Sequence, residues 1–298
     1  MSRMTKGEKI FQYFNIAIMV LLSATFIIPF IILISSSFVN EADAAKYGSY
    51  VLFPHSFHWD AYSSILGRGS LLGNAYKITI FRVIIGSALN LVFTTMLAYG
   101  LSRKSVPGRG LFTTIVIITM FFGGGLIPTY LQMRSLGLIN TFWIMVLPGL
   151  ISPWNMTLMR NFFQQIPIDL EEAAMIDGAT PGRILVSVII PLSTPIIATI
   201  TLFSAVGHWN SWFDGMIYMK TVDKYPLQTY LQTVVINPEA FFRNATNVSE
   251  ELANYMNLVN ARTTNAAQLF LATVPILCIY PFLQRYFTTG LVMGSVKG

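Results

Sequence analysis

Charge is scarce in this sequence. Only 11% of its 298 residues are Asp, Glu, Lys or Arg, against roughly 25% in an ordinary soluble domain, while apolar residues make up 54%. A soluble fold of this size cannot cover its surface with so few charges. The composition therefore excludes a soluble enzyme, a nucleic-acid-binding domain and a disordered chain. The net charge of +6 is not a nucleic-acid footprint in such a chain; it reads as orientation signals and lipid contact. Cysteine is nearly absent. Cys278 stands alone in an apolar run, which rules out an intrachain disulfide and a Cys-based metal site and marks it as a small packing residue. The histidines His55, His58 and His208 have no acidic or Cys neighbour at ligand spacing, so no metal site is expected. There is no phosphate-binding Walker loop, no pair of catalytic carboxylates and no Ser/His/Asp set, so no catalytic residue is nominated.

The few charges are also unevenly placed. Six runs carry none at all: 10–40, 83–102, 110–133, 135–159, 184–213 and 263–284, about half the chain. Each reaches the roughly 20 apolar residues a helix needs to cross a bilayer. The reading is an all-α polytopic membrane protein with six transmembrane helices in a single domain, 1–298. The first run follows Arg3, Lys6 and Lys9 but is far longer than the apolar core of a signal peptide, so it is expected to be a retained helix. With the N-terminus in the cytoplasm, the cytoplasmic pieces 1–10, 102–110, 160–188 and 285–298 are about twice as dense in Lys and Arg as the outer pieces. That favours N-in, C-in. Trp59, Tyr62, Trp209 and Trp212 fall near the outer ends, where aromatic rings anchor helices.

The spans are uneven. Pro29, Pro128, Pro148, Pro153, Pro191, Pro195, Pro275 and Pro281 lie in them, and Gly123-Gly124-Gly125 breaks the third. Proline removes a donor and bends a helix, and bilayer helices tolerate such defects where neighbours or a water-filled cavity satisfy the backbone. Kinked helices around a cavity suit a transporter. No acidic residue lies in any of the six runs, whereas ion-coupled carriers usually keep a buried carboxylate. With no visible fuel of its own, the chain is expected to draw energy from a partner.

The cytoplasmic loop 160–188 contains Pro167-Ile168-Asp169-Leu170-Glu171-Glu172-Ala173-Ala174-Met175-Ile176-Asp177-Gly178. Asp169 is placed to cap a helix, with Glu172 three residues on as in a capping box. Glu171 and Glu172 sit in the first turn, where the helix dipole favours negative charge. Gly178 fits the left-handed position past the end, and Thr180-Pro181 opens a second helix. The result is a short helix of about eight residues between two membrane helices.

Glu172-Ala173-Ala174, Gly178 and Val188-Ile189-Ile190-Pro191 together resemble the EAA motif of permease subunits from binding-protein-dependent ABC importers, with Val188 and Ile190 in place of the usual Ile and Leu. Gly207-His208-Trp209-Asn210-Ser211-Trp212-Phe213, Tyr225-Pro226-Leu227-Gln228 and the tail from Gln284 through Gly290-Leu291 to Val296-Lys297-Gly298 are similar to the sugar-importing branch, in particular the six-helix partner of the maltose-type pair. Gly124 to Tyr130 resembles a subgroup associated with oligosaccharides from polysaccharide breakdown, including uronate-bearing ones such as alginate or pectin fragments.

The resemblance implies an ABC type I importer permease in the bacterial cytoplasmic membrane. Its implied partners are a second homologous permease in a heterodimer, two ATPase subunits that bind ATP and Mg, an extracytoplasmic solute-binding protein, an oligosaccharide substrate and membrane lipid, with no nucleic acid. The chain itself binds no cofactor. Asp169, Glu171, Glu172, Ala173, Ala174, Asp177 and Gly178 become the ATPase-coupling residues on a helix 170–177. Gly290, Leu291 and Lys297 belong to a tail that reaches the ATPases, and the long outer loop 210–265, with a helical patch at 249–259, meets the binding protein. For the solute path, Trp209, Asn210, Trp212, Asp214 and Asn155 offer the mix of apolar walls and placed polar groups that sugar sites use. At helical spacing, 209 and 212 share one side and 210 and 214 an adjacent one. The same residues also fit an interfacial aromatic belt. The alternatives to a sugar permease are an ABC permease for another solute and, in a different class, an ion-coupled carrier.

Overall fold

A computed structural model describes residues 5–39, 43, 46–48, 51–66, 70–236 and 262–290. Every regular element among them is helical. The chain divides into two compact units, Met1–Leu72 with Thr233–Pro275, and Gly73–Gln232 with Ile276–Gly298.

In the first unit, α1 runs Lys6–Ser37. It opens on a capping box in which the Thr5 hydroxyl accepts from Glu8 N–H and the Glu8 carboxylate accepts from Thr5 N–H at 2.7 Å. Pro29 lies inside it. The helix buries only its last turn, Ser35 to Ser37, where the Ser37 hydroxyl and the Tyr62 phenol share a hydrogen bond of 2.6 Å. Tyr62 lies on α2, Asp60–Ile65. Phe38 packs edge-on against Trp59 with ring centroids 5.1 Å apart. Trp59 is largely exposed, as an interfacial anchor should be, whereas Tyr62 is buried.

The second unit is organised on α3, Leu71–Ser102. It contains no proline. It is followed by α4, Arg109–Phe121, and α5, Leu126–Ser135, which meet at 118°. The expected glycine break is there: Gly125 has φ +84° just before α5 starts, a conformation only glycine adopts freely. Two 3₁₀ turns, Phe142–Met145 and Leu147–Gly149, lead at 48° into α6, Pro153–Phe163. Ser152 caps α6 by accepting from Asn155 N–H at 3.3 Å, with Pro153 in the first turn. The break frees the carbonyl of Leu150, and the Asn90 amide of α3 donates to it at 2.9 Å. A polar side chain thus replaces the lost helical bond, as a bilayer requires.

After α7, Asp169–Ile176, comes α8, Pro181–Leu192, and then α9, Thr194–Asn210, at 88° to it. Leu185–Ile189 forms a π turn, with Ile190 N–H bonded back to Leu185. Pro191 cannot donate and its ring crowds the preceding turn, so the helix widens there. The outer segment continues as α10, Phe213–Tyr218, then α11, Leu227–Tyr230, which passes into a second π turn, Leu231–Ile236. The last helix is α12, Arg262–Gly290.

Among the described residues, α1 and α3 are each long and apolar enough to cross a membrane, and up to five spans result if each bent pair is one. α12 carries a shorter apolar stretch, Thr263–Cys278. Cys278 is exposed on it and is not the packing residue expected from the sequence. A buried cluster of Ala98, Leu101, Met156, Met159, Phe163 and Ile184 joins the ends of α3 and α6 to the start of α8. The loop that carries α7 leaves from and returns to this cluster.

Candidate functional site

The helix α7 has the length expected from the sequence, but its start differs. The residue before it, Ile168, already has helical dihedrals and makes no side-chain capping bond, and Asp169 is the first helical residue. Asp169 therefore adds negative charge to the first turn without capping it. The end is as expected. Gly178 has φ +80°, Gly178 N–H donates to Met175 at 3.0 Å and Ala179 N–H to Ala174 at 2.9 Å. That pair of bonds is a Schellman motif. Thr180 has extended dihedrals ahead of Pro181, without a side-chain cap.

The acidic residues of α7 point in different directions. Asp169, Glu172 and Asp177 are exposed, as are Ala173 and Gly178, while Ala174 is half-buried. Ile168, Leu170, Met175 and Ile176 also face out, Ile176 being 87% exposed. Glu171 does not belong with them. It is 4% exposed and forms an ion pair with Arg103, just past the end of α3. The Tyr99 hydroxyl donates to it at 3.4 Å, and the Arg103 guanidinium lies over the Tyr99 ring at 4.9 Å. Burial pushes the Glu171 carboxyl above the ordinary carboxylate value, against the opposing pull of Arg103 and the Tyr99 hydroxyl.

More cations gather around the end of α3. Arg160 Nε donates to the Leu101 carbonyl at 3.0 Å and Arg109 to the Ser102 carbonyl at 3.4 Å, satisfying acceptors that the helix leaves open. A cavity of about 1130 Å³ opens beside α7, with Arg103, Arg109, Glu171, Glu172 and Leu185 in its wall.

In the first half of α3, about three turns from its start, Arg82 is 3% exposed and forks onto both carboxylate oxygens of Asp214, one contact measuring 3.2 Å. Its Nε faces His208 Nδ1 at 3.4 Å. α3 and α9 come so close here that a Cβ at Gly86 would collide with the His208 ring. Asp214 also accepts from the Ser211 hydroxyl at 2.9 Å and from Gly215 N–H at 2.8 Å. Further along, Leu227 N–H donates to the Thr79 hydroxyl at 2.7 Å, the Asn74 amide donates to the Asp223 carbonyl, and the Thr229 hydroxyl donates to the Trp212 carbonyl at 2.7 Å. The described part of the outer loop is therefore a folded piece fastened to α3.

This changes the solute-path expectation. The helical spacing assumed for 209–214 fails, because α9 stops at Asn210, Ser211 is extended, and α10 starts at Phe213. Trp209 is buried near Tyr76, with ring centroids 6.4 Å apart. Trp212 and Asn210 are exposed, and Asp214 is held by Arg82. Asn155 is buried in the first turn of α6, remote in sequence from this group. Gly290 ends α12, while Leu291, Lys297, the patch 249–259 and the loop beyond Ile236 as far as 261 lie outside the described residues.

Sequence reasoning missed Arg82, His208, Tyr99 and Arg103. A signal was present. Arg82 immediately precedes the second apolar run and Asp214 immediately follows the fifth, so spans of opposite direction bring both to one end. Arg103 likewise follows the second run directly.

Residues 91–213, from the second half of α3 to the start of α10, match the family described as binding-protein-dependent transport system inner membrane component. The chain is 39% identical over 294 residues to Protein LplC of Bacillus subtilis (strain 168), covering 99% of this chain and 97% of that protein. It is 36% identical over 278 residues to the polygalacturonan/rhamnogalacturonan transport system permease protein YtcP of the same organism, covering 91% and 93%. A solved bacterial ABC transporter involved in the import of the acidic polysaccharide alginate contains a chain that superposes with a TM-score of 0.85 at 32% identity, covering 96% of this chain and all of that one.

Proposed function

The chain belongs to the family of binding-protein-dependent transport system inner membrane components, and from that membership we infer that it is the permease subunit of an ABC importer that carries oligosaccharides across the cytoplasmic membrane. Two ATPase subunits bind ATP and Mg, and this chain binds neither. A second, related permease completes the pore, and a solute-binding protein delivers the sugar from outside. In this reading the chain has six spans with both termini inside, assigned to α1, α3, the three bent pairs and α12; the apolar helices and bent pairs support the assignment.

The observation that carries this reading is the pairing of a full-length relationship with an exposed, cleanly terminated α7 in the loop where the EAA motif falls. Leu170, Met175 and Ile176 give α7 exposed apolar side chains and Glu172 an exposed charge among them, which suits docking into a cleft that surrounds the helix. ATP-driven closure of the ATPases changes the contacts of the docked helix and so biases the permease between inward- and outward-facing states. The substrate class is fragments of acidic polysaccharides. The relationship to a polygalacturonan/rhamnogalacturonan permease and to a transporter involved in alginate import supports it.

Proteoliposomes holding the full complex and its binding protein test the reading. Uptake of labelled oligogalacturonides or alginate oligomers should require ATP and exceed that of neutral malto-oligosaccharides. ATP-independent uptake, or none of any oligosaccharide, would overturn it.

A further inference from the structure

We propose that α3 is the transmission rod of this permease: the Arg103–Glu171 pair joins its inner end to α7, the Arg82–Asp214 pair joins its outer half to the start of α10, and movement of α7 reaches the outer segment through it. The proposal rests on the reading of α7 as the ATPase-docking helix.

α3 suits this role because it is continuous. The other apolar spans of its unit among the described residues are bent by 48° to 118°, whereas α3 runs unbroken from Leu71 to Ser102. About 20 residues separate Arg82 from the end of the helix, or roughly 30 Å at 1.5 Å per residue, the thickness of a bilayer core. A stiff element of that length with a joint at each end moves both joints together.

The two joints are built alike. Each is an arginine of or next to α3 facing a carboxylate on another element. In each the arginine is nearly buried, and a ring flanks it: Tyr99 at the inner end and His208 at the outer. Buried ion pairs add little net stability over apolar packing, because desolvation offsets the attraction. Their geometry is specific, however, since a guanidinium fork fixes direction as well as distance. Asp214 adds a second link. It accepts from Ser211 and Gly215 across the point where α9 gives way to α10, so a pull on Arg82 is delivered to the break itself. Glu171 is correspondingly a positioning residue. Its carboxylate is turned inward, whereas Leu170, Glu172 and Ile176 are exposed.

The test uses the assembled complex in proteoliposomes and reads the ratio of binding-protein-stimulated to basal ATP hydrolysis, with assembly checked by co-purification. Arg103→Gln, Glu171→Gln, Arg82→Gln and Asp214→Asn should each lower the ratio roughly tenfold, within the usual range of coupling between sites. The exchanged pair Arg103→Glu with Glu171→Arg should regain part of it. If the wild type is stimulated and the neutral variants of either pair are stimulated equally, the proposal fails. A wild-type complex with no stimulation would instead sink the transporter reading.

Should the single variants not assemble, a bridged pair decides. In a Cys278→Ser background, Arg103→Cys and Glu171→Cys are joined by a short bis(methanethiosulfonate), each cysteine forming a reducible disulfide with the reagent as a methanesulfinate leaves. Stimulation while bridged and its loss on reduction support the rod. The same ratio before and after reduction overturns it.

Discussion

Glu171 holds its proton to a higher pH than an exposed glutamate, because burial raises its proton affinity more than Arg103 and Tyr99 lower it. The sign follows directly. The folded chain binds this proton more tightly than the unfolded chain, so the group's linkage contribution to stability is present below the ordinary carboxylate value and is lost as pH rises through the folded one. The ion pair behaves oppositely, forming only once the proton has left. Acidification from neutrality should therefore neutralise Glu171 above the ordinary carboxylate range. Stimulated ATP hydrolysis should fall in that window while the complex stays assembled, and Glu171→Gln should show no such step. A wild-type profile superimposable on that of Glu171→Gln would remove the pair from the coupling step. This residue also shows where sequence reading stops. Its place in the first turn of a short helix was legible, but whether it faced out or in depended on Arg103, which is 68 positions away and joined to it only by the fold.

Elements were legible where local chemistry decides them. The Gly123–Gly125 break, the bend at the paired prolines 191 and 195, and the end of α7 at Gly178 each follow from residues that lack a donor or tolerate positive φ. The extent of α9 was not, because nothing local to 209–214 announces that the helix stops at Asn210. The carboxylate of Asp214 and its bonds to Ser211 and Gly215 hold that break, and their geometry depends on Arg82. The α7 terminus lends itself to a clean test. A Cβ at Gly178 meets no atom within 4 Å, so any penalty there comes from the backbone alone. Gly178→Asn should keep most stimulated ATP hydrolysis, since Asn tolerates the left-handed region, whereas Gly178→Val should lose about tenfold, from roughly 1–3 kcal/mol of strain. Equal activity in the two variants would show that the shape of this terminus does not matter for docking.

At the scale of the whole molecule, the two long apolar helices differ in how much of themselves the chain covers. None of the apolar window of α1 is buried, against 33% of that of α3. Phe11, Phe14, Leu21 and Phe26 of α1 are all at least 60% exposed. Lipid can cover one side of such a helix, but lipid supplies little specific packing, and membrane helices associate through close contacts with other helices. The proposed second permease is the natural source of those contacts, and a subunit stabilised by its partner loses stability when the partner is missing. Expressed alone, the chain should insert but be cleared quickly by membrane proteases. Co-expression with the second permease should lengthen its half-life several-fold, and the ATPases alone should not, because the proposed ATPases dock on the cytoplasmic side and leave the apolar length of α1 uncovered. Pulse-chase labelling in cells carrying each combination measures this. An unchanged half-life with and without the second permease would mean that lipid suffices to cover α1.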